Sequence, residues 1–192
     1  FVFATLVPLA SLVVSSPAAS LPGQKWAAAW TASIQGPYPT GNANAQPDLT
    51  FAFAVPAAGA RDQSFRLIVR PDIWGREMRI RLSNALGTRP VTFDAVFAGV
   101  QMSGAALVSG TNRPLAFAGK PSVTIAAGEA AWSDPVSLPF VRSSSAAEMA
   151  GRKLVVSFHV VGESGPMTWH AKGLTTSYLT LPGAGAKGSE EG

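Results

Sequence analysis

The feature that most constrains this chain is a two-residue rhythm of apolar side chains. Phe65, Leu67 and Val69 alternate with Ser64, Arg66 and Ile68, and Met78, Ile80 and Leu82 alternate with Glu77, Arg79, Arg81 and Ser83. Successive side chains of an extended backbone point to opposite faces, so each stretch turns one row toward a core and the other toward water. The rhythm returns at Val91, Phe93, Ala95 and Phe97, and again at Leu154, Val156, Phe158 and Val160. Weaker strand candidates are Trp26–Ser33, Leu49–Val55, Ala106–Val108, Leu115–Phe117, Ser122–Ala126 and Leu174–Thr180. Turn signals such as Pro71-Asp72, Asn84-Ala85-Leu86-Gly87, Ser109-Gly110-Thr111-Asn112, Ala127-Gly128 and Gly165-Pro166 separate them. Between these runs there is no amphipathic stripe long enough for a crossover helix, which disfavours a parallel βαβ sheet. The expected fold is all-β: an antiparallel β-sandwich, jelly-roll-like. The best helix candidate is Ser143–Ala150, where serines can cap one or two turns before Gly151 stops them.

Composition narrows the chemistry. With 47% hydrophobic and 14% charged residues the chain is too apolar for intrinsic disorder. The absence of cysteine excludes a disulfide scaffold, a zinc ribbon, a thiol nucleophile and a CxxC redox site. A length of 192 residues suits one domain with a sizeable core. Apolar Phe1–Val14, followed by the small residues of Ser15–Ser20, reads as a signal-peptide remnant over 1–20, with Ala18 and Ser20 as cleavage subsites. Export to the periplasm or the medium is therefore expected. No methionine or basic residue precedes the apolar run, so the chain is expected to begin after its true start and to be a fragment. No later segment approaches the roughly 18 apolar residues of a spanning helix, and no membrane span is expected. The sandwich is assigned to 21–181, and the Gly-, Ala-, Lys- and Glu-rich 182–192 to a flexible linker or frayed tail.

Reactive constellations are scarce. The two histidines, His159 and His170, are eleven positions apart with no His or Cys cluster nearby, which matches no common metal spacing. No G-x-S-x-G elbow occurs; Gly162-Glu163-Ser164-Gly165 is the nearest and falls where a hairpin turn is expected. His159 alternates out of phase with its strand's apolar row and reads as a surface or hydrogen-bonded histidine. Asp72 and Asp134 read as turn formers that bond nearby backbone N–H groups. Seven of the ten arginines fall between Arg61 and Arg89, and Arg79 and Arg81 share a strand face. A nucleic-acid surface would interleave aromatics with that charge. Phe65 and Phe93 instead fall on the buried row, so no nucleic-acid partner is expected. Of the five tryptophans, Trp26, Trp30, Trp132 and Trp169 read first as core, whereas Trp74, beside Gly75 in a hairpin loop, is the candidate for an exposed stacking ring.

Several segments together resemble a known arrangement. They are Trp26-Ala27-Ala28-Ala29-Trp30-Thr31-Ala32-Ser33, Phe65–Arg70, Met78-Arg79-Ile80-Arg81-Leu82-Ser83-Asn84-Ala85-Leu86-Gly87, Ser109–Arg113, Ser133-Asp134-Pro135-Val136, Thr168-Trp169-His170 and Thr175-Thr176-Ser177-Tyr178. In this order they are similar to the N-terminal β-sandwich region of secreted bacterial SGNH (GDSL-type) hydrolases. The similarity covers nearly the whole chain after the signal remnant, and the RLSNxxG segment with the later Trp-His and Thr-Ser-Tyr pieces is its most specific part. The resemblance implies that catalysis belongs to a separate α/β domain with a Gly-Asp-Ser nucleophile block and an Asp-x-x-His block. Neither block occurs here, and Asn84 belongs to the sandwich rather than to an oxyanion site.

No catalytic residue, metal or cofactor is therefore assigned to this chain. The expectation is an accessory sandwich that packs on a catalytic SGNH domain in cis and shapes access for an ester or carbohydrate substrate. Trp74, Arg79, Arg81, Trp169 and His170 are the candidate binding residues. The alternative is a free-standing carbohydrate-binding sandwich that stacks sugars on Trp74 and Trp169.

Overall fold

A computed structural model describes residues 25–38, 49–143, 146–170 and 173–192; the signal-like 1–20 lies outside them. Among these residues there is no α-helix, and the strands pair antiparallel throughout. The chain has the all-β, sandwich-like fold that its period-two pattern demands.

Three long strands form the centre of the main sheet: β2 (Arg61–Val69), β5 (Val91–Ser103) and β11 (Leu154–Glu163). β11 lies between β2 and β5, pairing Val156 with Leu67 on one side and with Ala98 on the other. β13 (Tyr178–Leu179) extends the sheet beyond β2, and β6 (Ala106–Leu107), β7 (Arg113–Pro114) and β8 (Val123–Ile125) pair with β5. Three two-stranded ribbons complete the fold. They are β1 (Gln35–Tyr38) with β12 (Met167–Trp169), β3 (Glu77–Met78) with β10 (Val136–Ser137), and β4 (Arg81–Ser83) with β9 (Ala130–Trp132).

One face of the main sheet contributes Phe93, Val96, Ala98, Leu154, Val156 and Val160 to the principal core, and the ribbons cover it with Tyr38, Leu82, Met78 and Val136. Removing one such aliphatic side chain from water contributes about 1.5–3 kcal/mol. A second cluster, Val100, Leu138, Val141, Ala146 and Met149, packs beside it, with Trp74 shared between the two.

The pattern fails locally where the chain changes partner. The run Glu77–Ser83, one strand by its alternation, divides into β3 and β4, which pair with different strands. Between them the Ile80 amide donates to Ser133 Oγ and the Ser133 amide to the Ile80 carbonyl. In β5, Ala95 takes φ +44° at a register shift, and the bulge transfers the inward row from Val91 and Phe93 to Val96, Ala98 and Val100. Trp26–Ser33 and Leu49–Val55 are not strands, and among the described residues of 143–150 the helical element is a short 3-10 turn over Ala147–Met149.

The tail departs most from its sequence reading. Instead of fraying, 183–191 crosses the outer face of the main sheet as a strap. The Gly183 amide donates to the Arg61 carbonyl, Ser64 Oγ donates to the Gly185 carbonyl, and the Lys187 amide donates to Ser64 Oγ. Further along, Asn112 Nδ2 donates to the Gly188 carbonyl and the Leu107 amide to that of Glu191. Composition favoured disorder here; small residues also let a backbone lie flat on a sheet. A Cβ at Gly188 would stand 2.0 Å from the Ala95 carbonyl oxygen.

Candidate functional site

The five candidate binding residues fall into three places. Arg79 and Arg81 come together because Arg81 pairs with Trp132 across β4 and β9. The Arg79 guanidinium lies 4.7 Å from the ring centre of Trp26 and 4.6 Å from that of Trp132, so it is held between two indoles. Arg81 lies 6.0 Å from the Trp132 ring. Each such contact contributes on the order of 0.5–1 kcal/mol at an exposed position. Trp132 remains 48% exposed, and Trp30 and Ile73 are similarly open. The Asp72 amide donates to the Ala29 carbonyl, which holds the Trp26–Trp30 segment against the loop carrying Ile73. This flank therefore combines open aromatic surface with two guanidinium groups that have no carboxylate partner among the described residues.

Trp74 departs from its expected role as an open stacking ring. It packs against both core clusters, and its Nε1 is buried without a hydrogen-bond partner. Its glycine neighbour suggested an open loop, but the Trp74 ring closes the seam between the two cores. Trp169 is half-buried on β12, with its ring edge-on to Tyr38 at 5.3 Å. His170 is exposed, with Nδ1 2.9 Å from the Ser33 carbonyl oxygen. The rings that contact Arg79 and Arg81 are those of Trp26 and Trp132, not Trp169.

The residues of the RLSNxxG segment serve the scaffold. Asn84 is buried, and its Nδ2 donates toward the carbonyls of Arg89, Ile125 and Ala126, closing the turn onto β8. A Cβ at Gly87 would meet Asn84 Oδ1, so a side chain there would displace the Asn84 amide from its carbonyl partners. The Leu86 amide donates to Thr168 Oγ1, which joins this turn to the Thr-Trp-His segment. Thr175 Oγ1 donates to the Ile68 carbonyl and the Ile68 amide donates to Ser177 Oγ, so the Thr-Thr-Ser-Tyr segment finishes the edge of β2. Asp134 accepts from the amides of Ala118 and Gly119, 16 and 15 residues away, so it holds a distant turn rather than the local one expected of it.

Sequence reasoning missed a charged cluster beneath the strap. His159 is 5% exposed, with Nδ1 2.7 Å from Asp94 and Nε2 2.8 Å from Asp62. Asp62 holds φ +49°, an uncommon conformation for a residue with a side chain. The out-of-phase position of His159 was its sole sequence signal; its carboxylates lie 65 and 97 residues away. Chemically, Asp94 orients the ring as the orienter of a hydrolytic triad would, but Nε2 meets Asp62 rather than a hydroxyl. Ser64, opposite His159 in register, gives its hydroxyl to the strap. Ser164 likewise donates to the Gly165 carbonyl and accepts from the Ala60 amide. The cluster ties β2, β5 and β11 together.

Arg66 lies on the same face. Its nitrogens reach Ser157 Oγ and the carbonyls of Ala105 and Glu190, and burial lowers its pKa from the usual value while Glu190 opposes the shift. No protein-family model matches the chain, and no curated protein matches it either.

Proposed function

We propose that this chain is the non-catalytic accessory sandwich of an exported SGNH-type ester hydrolase, and that its Trp26–Arg79–Trp132 flank, with Arg81 beside it, packs on the catalytic domain. The observation that carries the reading is the guanidinium held between two indoles on an otherwise open flank. Such a surface offers flat apolar area stacked against a cation, plus cationic donors for carboxylates across an interface. Tryptophan and arginine are the residue types that dominate interface energetics. The resemblance supplies the partner: in that family the sandwich accompanies an α/β hydrolase domain, and the segments carrying the likeness form one interlocked scaffold. The flank would cover one side of the catalytic domain and narrow the approach to its ester-binding groove, while export follows from the signal-like N-terminal segment.

The sugar-binding alternative requires flat exposed rings at Trp74 and Trp169, and both rings are engaged in core packing. The test has two parts. The reading frame after Gly192 should encode a Gly-Asp-Ser block within about 150 residues, one domain length; a continuing frame without it removes the reading. In the full-length protein, Arg79→Glu should loosen the association of the two domains, seen as separate unfolding transitions in calorimetry. A single transition identical to the wild type would remove the flank from the interface.

A further inference from the structure

A cleft of about 210 Å3 opens beside the second core cluster, and its lining shares no residue with the arginine flank. Val100, Val108, Phe140 and Met149 give it apolar walls, and Arg142, Glu148 and Arg152 line it as well. The charges there are unequal in availability. Glu148 accepts from the amides of Arg142 and Ser143 and from Ser143 Oγ, so its carboxylate is committed to holding the loop. Those donors, Ser143 foremost, lower its pKa from 4.5 to about 2. Thr111 Oγ1, also in the lining, donates to the Val108 carbonyl and accepts from the Val100 amide. The guanidinium groups of Arg142 and Arg152 carry no hydrogen bond or ion pair within the described residues. The cleft therefore presents hydrocarbon along its walls and two free cationic forks in its lining.

From this geometry we infer that the cleft binds a short-chain organic carboxylate, its hydrocarbon against Val100, Val108, Phe140 and Met149 and its carboxylate on Arg142 and Arg152. Arginine matches a carboxylate through paired N–H donors. The volume lies below the roughly 300–1,000 Å3 of sites for drug-sized ligands, which limits the occupant to a few carbons. Apolar walls favour a monoanion with a tail over a fully hydrated anion such as inorganic phosphate. This site is independent of the partner proposed above and is testable on the chain alone.

Hexanoate is the probe, followed by isothermal titration calorimetry and by NMR of the methionine methyl groups. Saturable binding is expected, with the Met149 methyl signal shifted. Acetate, hexanol and inorganic phosphate should each bind at least about tenfold more weakly, a difference of about 1.4 kcal/mol. The double variant Arg142→Gln/Arg152→Gln alters two exposed side chains and should lose about tenfold or more in affinity while melting like the wild type. Trp132→Ala should leave binding unchanged. The inference is overturned by an absence of saturable hexanoate binding, by hexanol or phosphate binding as tightly, or by an unshifted Met149 methyl. It is equally overturned if the double variant binds like the wild type.

Discussion

Arg66 and Arg79 come from the same basic stretch, and the fold uses them in opposite ways. Arg66 lies under the strap and reaches one hydroxyl and two carbonyls that belong to distant parts of the chain. Arg79 lies between two rings on an open flank and makes no hydrogen bond within the described residues. The comparison separates charge used to close a fold from charge left available to a partner. Local sequence does not distinguish them: both arginines sit in alternating runs, and both should face water by the two-residue rule. What differs is whether another segment returns over that face. The strap returns over Arg66, whereas Arg79 receives only the Trp26 and Trp132 rings and Trp132 itself stays open.

The contrast can be broken by mutation, and Arg66→Ala should show the largest effect. It removes donors from two carbonyls and from Ser157 beneath the strap, at about 3 kcal/mol. For a domain of this size that corresponds to a fall in Tm of about 6–12 °C, read by calorimetry. Asn84→Ala comes next, at about 2 kcal/mol, because three carbonyls lose one shared donor. Gly188→Ala acts on the strap itself. Its Cβ cannot lie 2.0 Å from the Ala95 oxygen, so the strap should lift, with amide exchange at Leu107 rising at least about tenfold while the main sheet stays protected. Trp132→Ala should cost the isolated chain about 1–1.5 kcal/mol, since it loses two exposed cation–ring contacts, that of Arg81 at the limit of reach. Equal losses for Arg66→Ala and Trp132→Ala would erase the distinction between the two regions.

The smallest effect is an acid response of the loop beside the cleft. The carboxyl of Glu148 is depressed, so its contribution is complete above about 4.5, the value expected for the unfolded chain. It fades as pH falls toward the folded value of about 2. Glu148→Gln should flatten that dependence, followed by amide exchange at Arg142 and Ser143. An unchanged profile would remove Glu148 from the response.

The long strands were legible from their alternating rows, as in Leu154, Val156, Phe158 and Val160, but the row expected to face water is buried too, with Ile68, Val155, Ser157 and His159 covered while Leu67 is exposed. Legibility ended where long-range pairing decides the outcome. Ser133 divides the Glu77–Ser83 run, and the bulge at Ala95 reverses the inward row of β5. The candidate residues divided in the same way. Arg79 and Arg81 were recognisable as neighbours on one face, but the indoles that hold them come from segments far away in sequence. Trp74 looked open because a glycine follows it, whereas the second core cluster that receives its ring is built largely from residues after Val136. His159 gave only a phase signal, since neither of its carboxylates is local.

The pairing of β2 with β11 carries a kinetic consequence. Arg66 and Ser157, which face each other across that pair, are 91 residues apart in the chain. A nucleus containing the central sheet must therefore close a large loop before any native contact compensates for the lost freedom, and high contact order of this kind places refolding in the millisecond-to-second range. β5 reaches β11 only after the intervening ribbons have been traversed, so the hydrophobic rows of the three central strands stay exposed together during that interval. Refolding yield should accordingly fall as protein concentration rises.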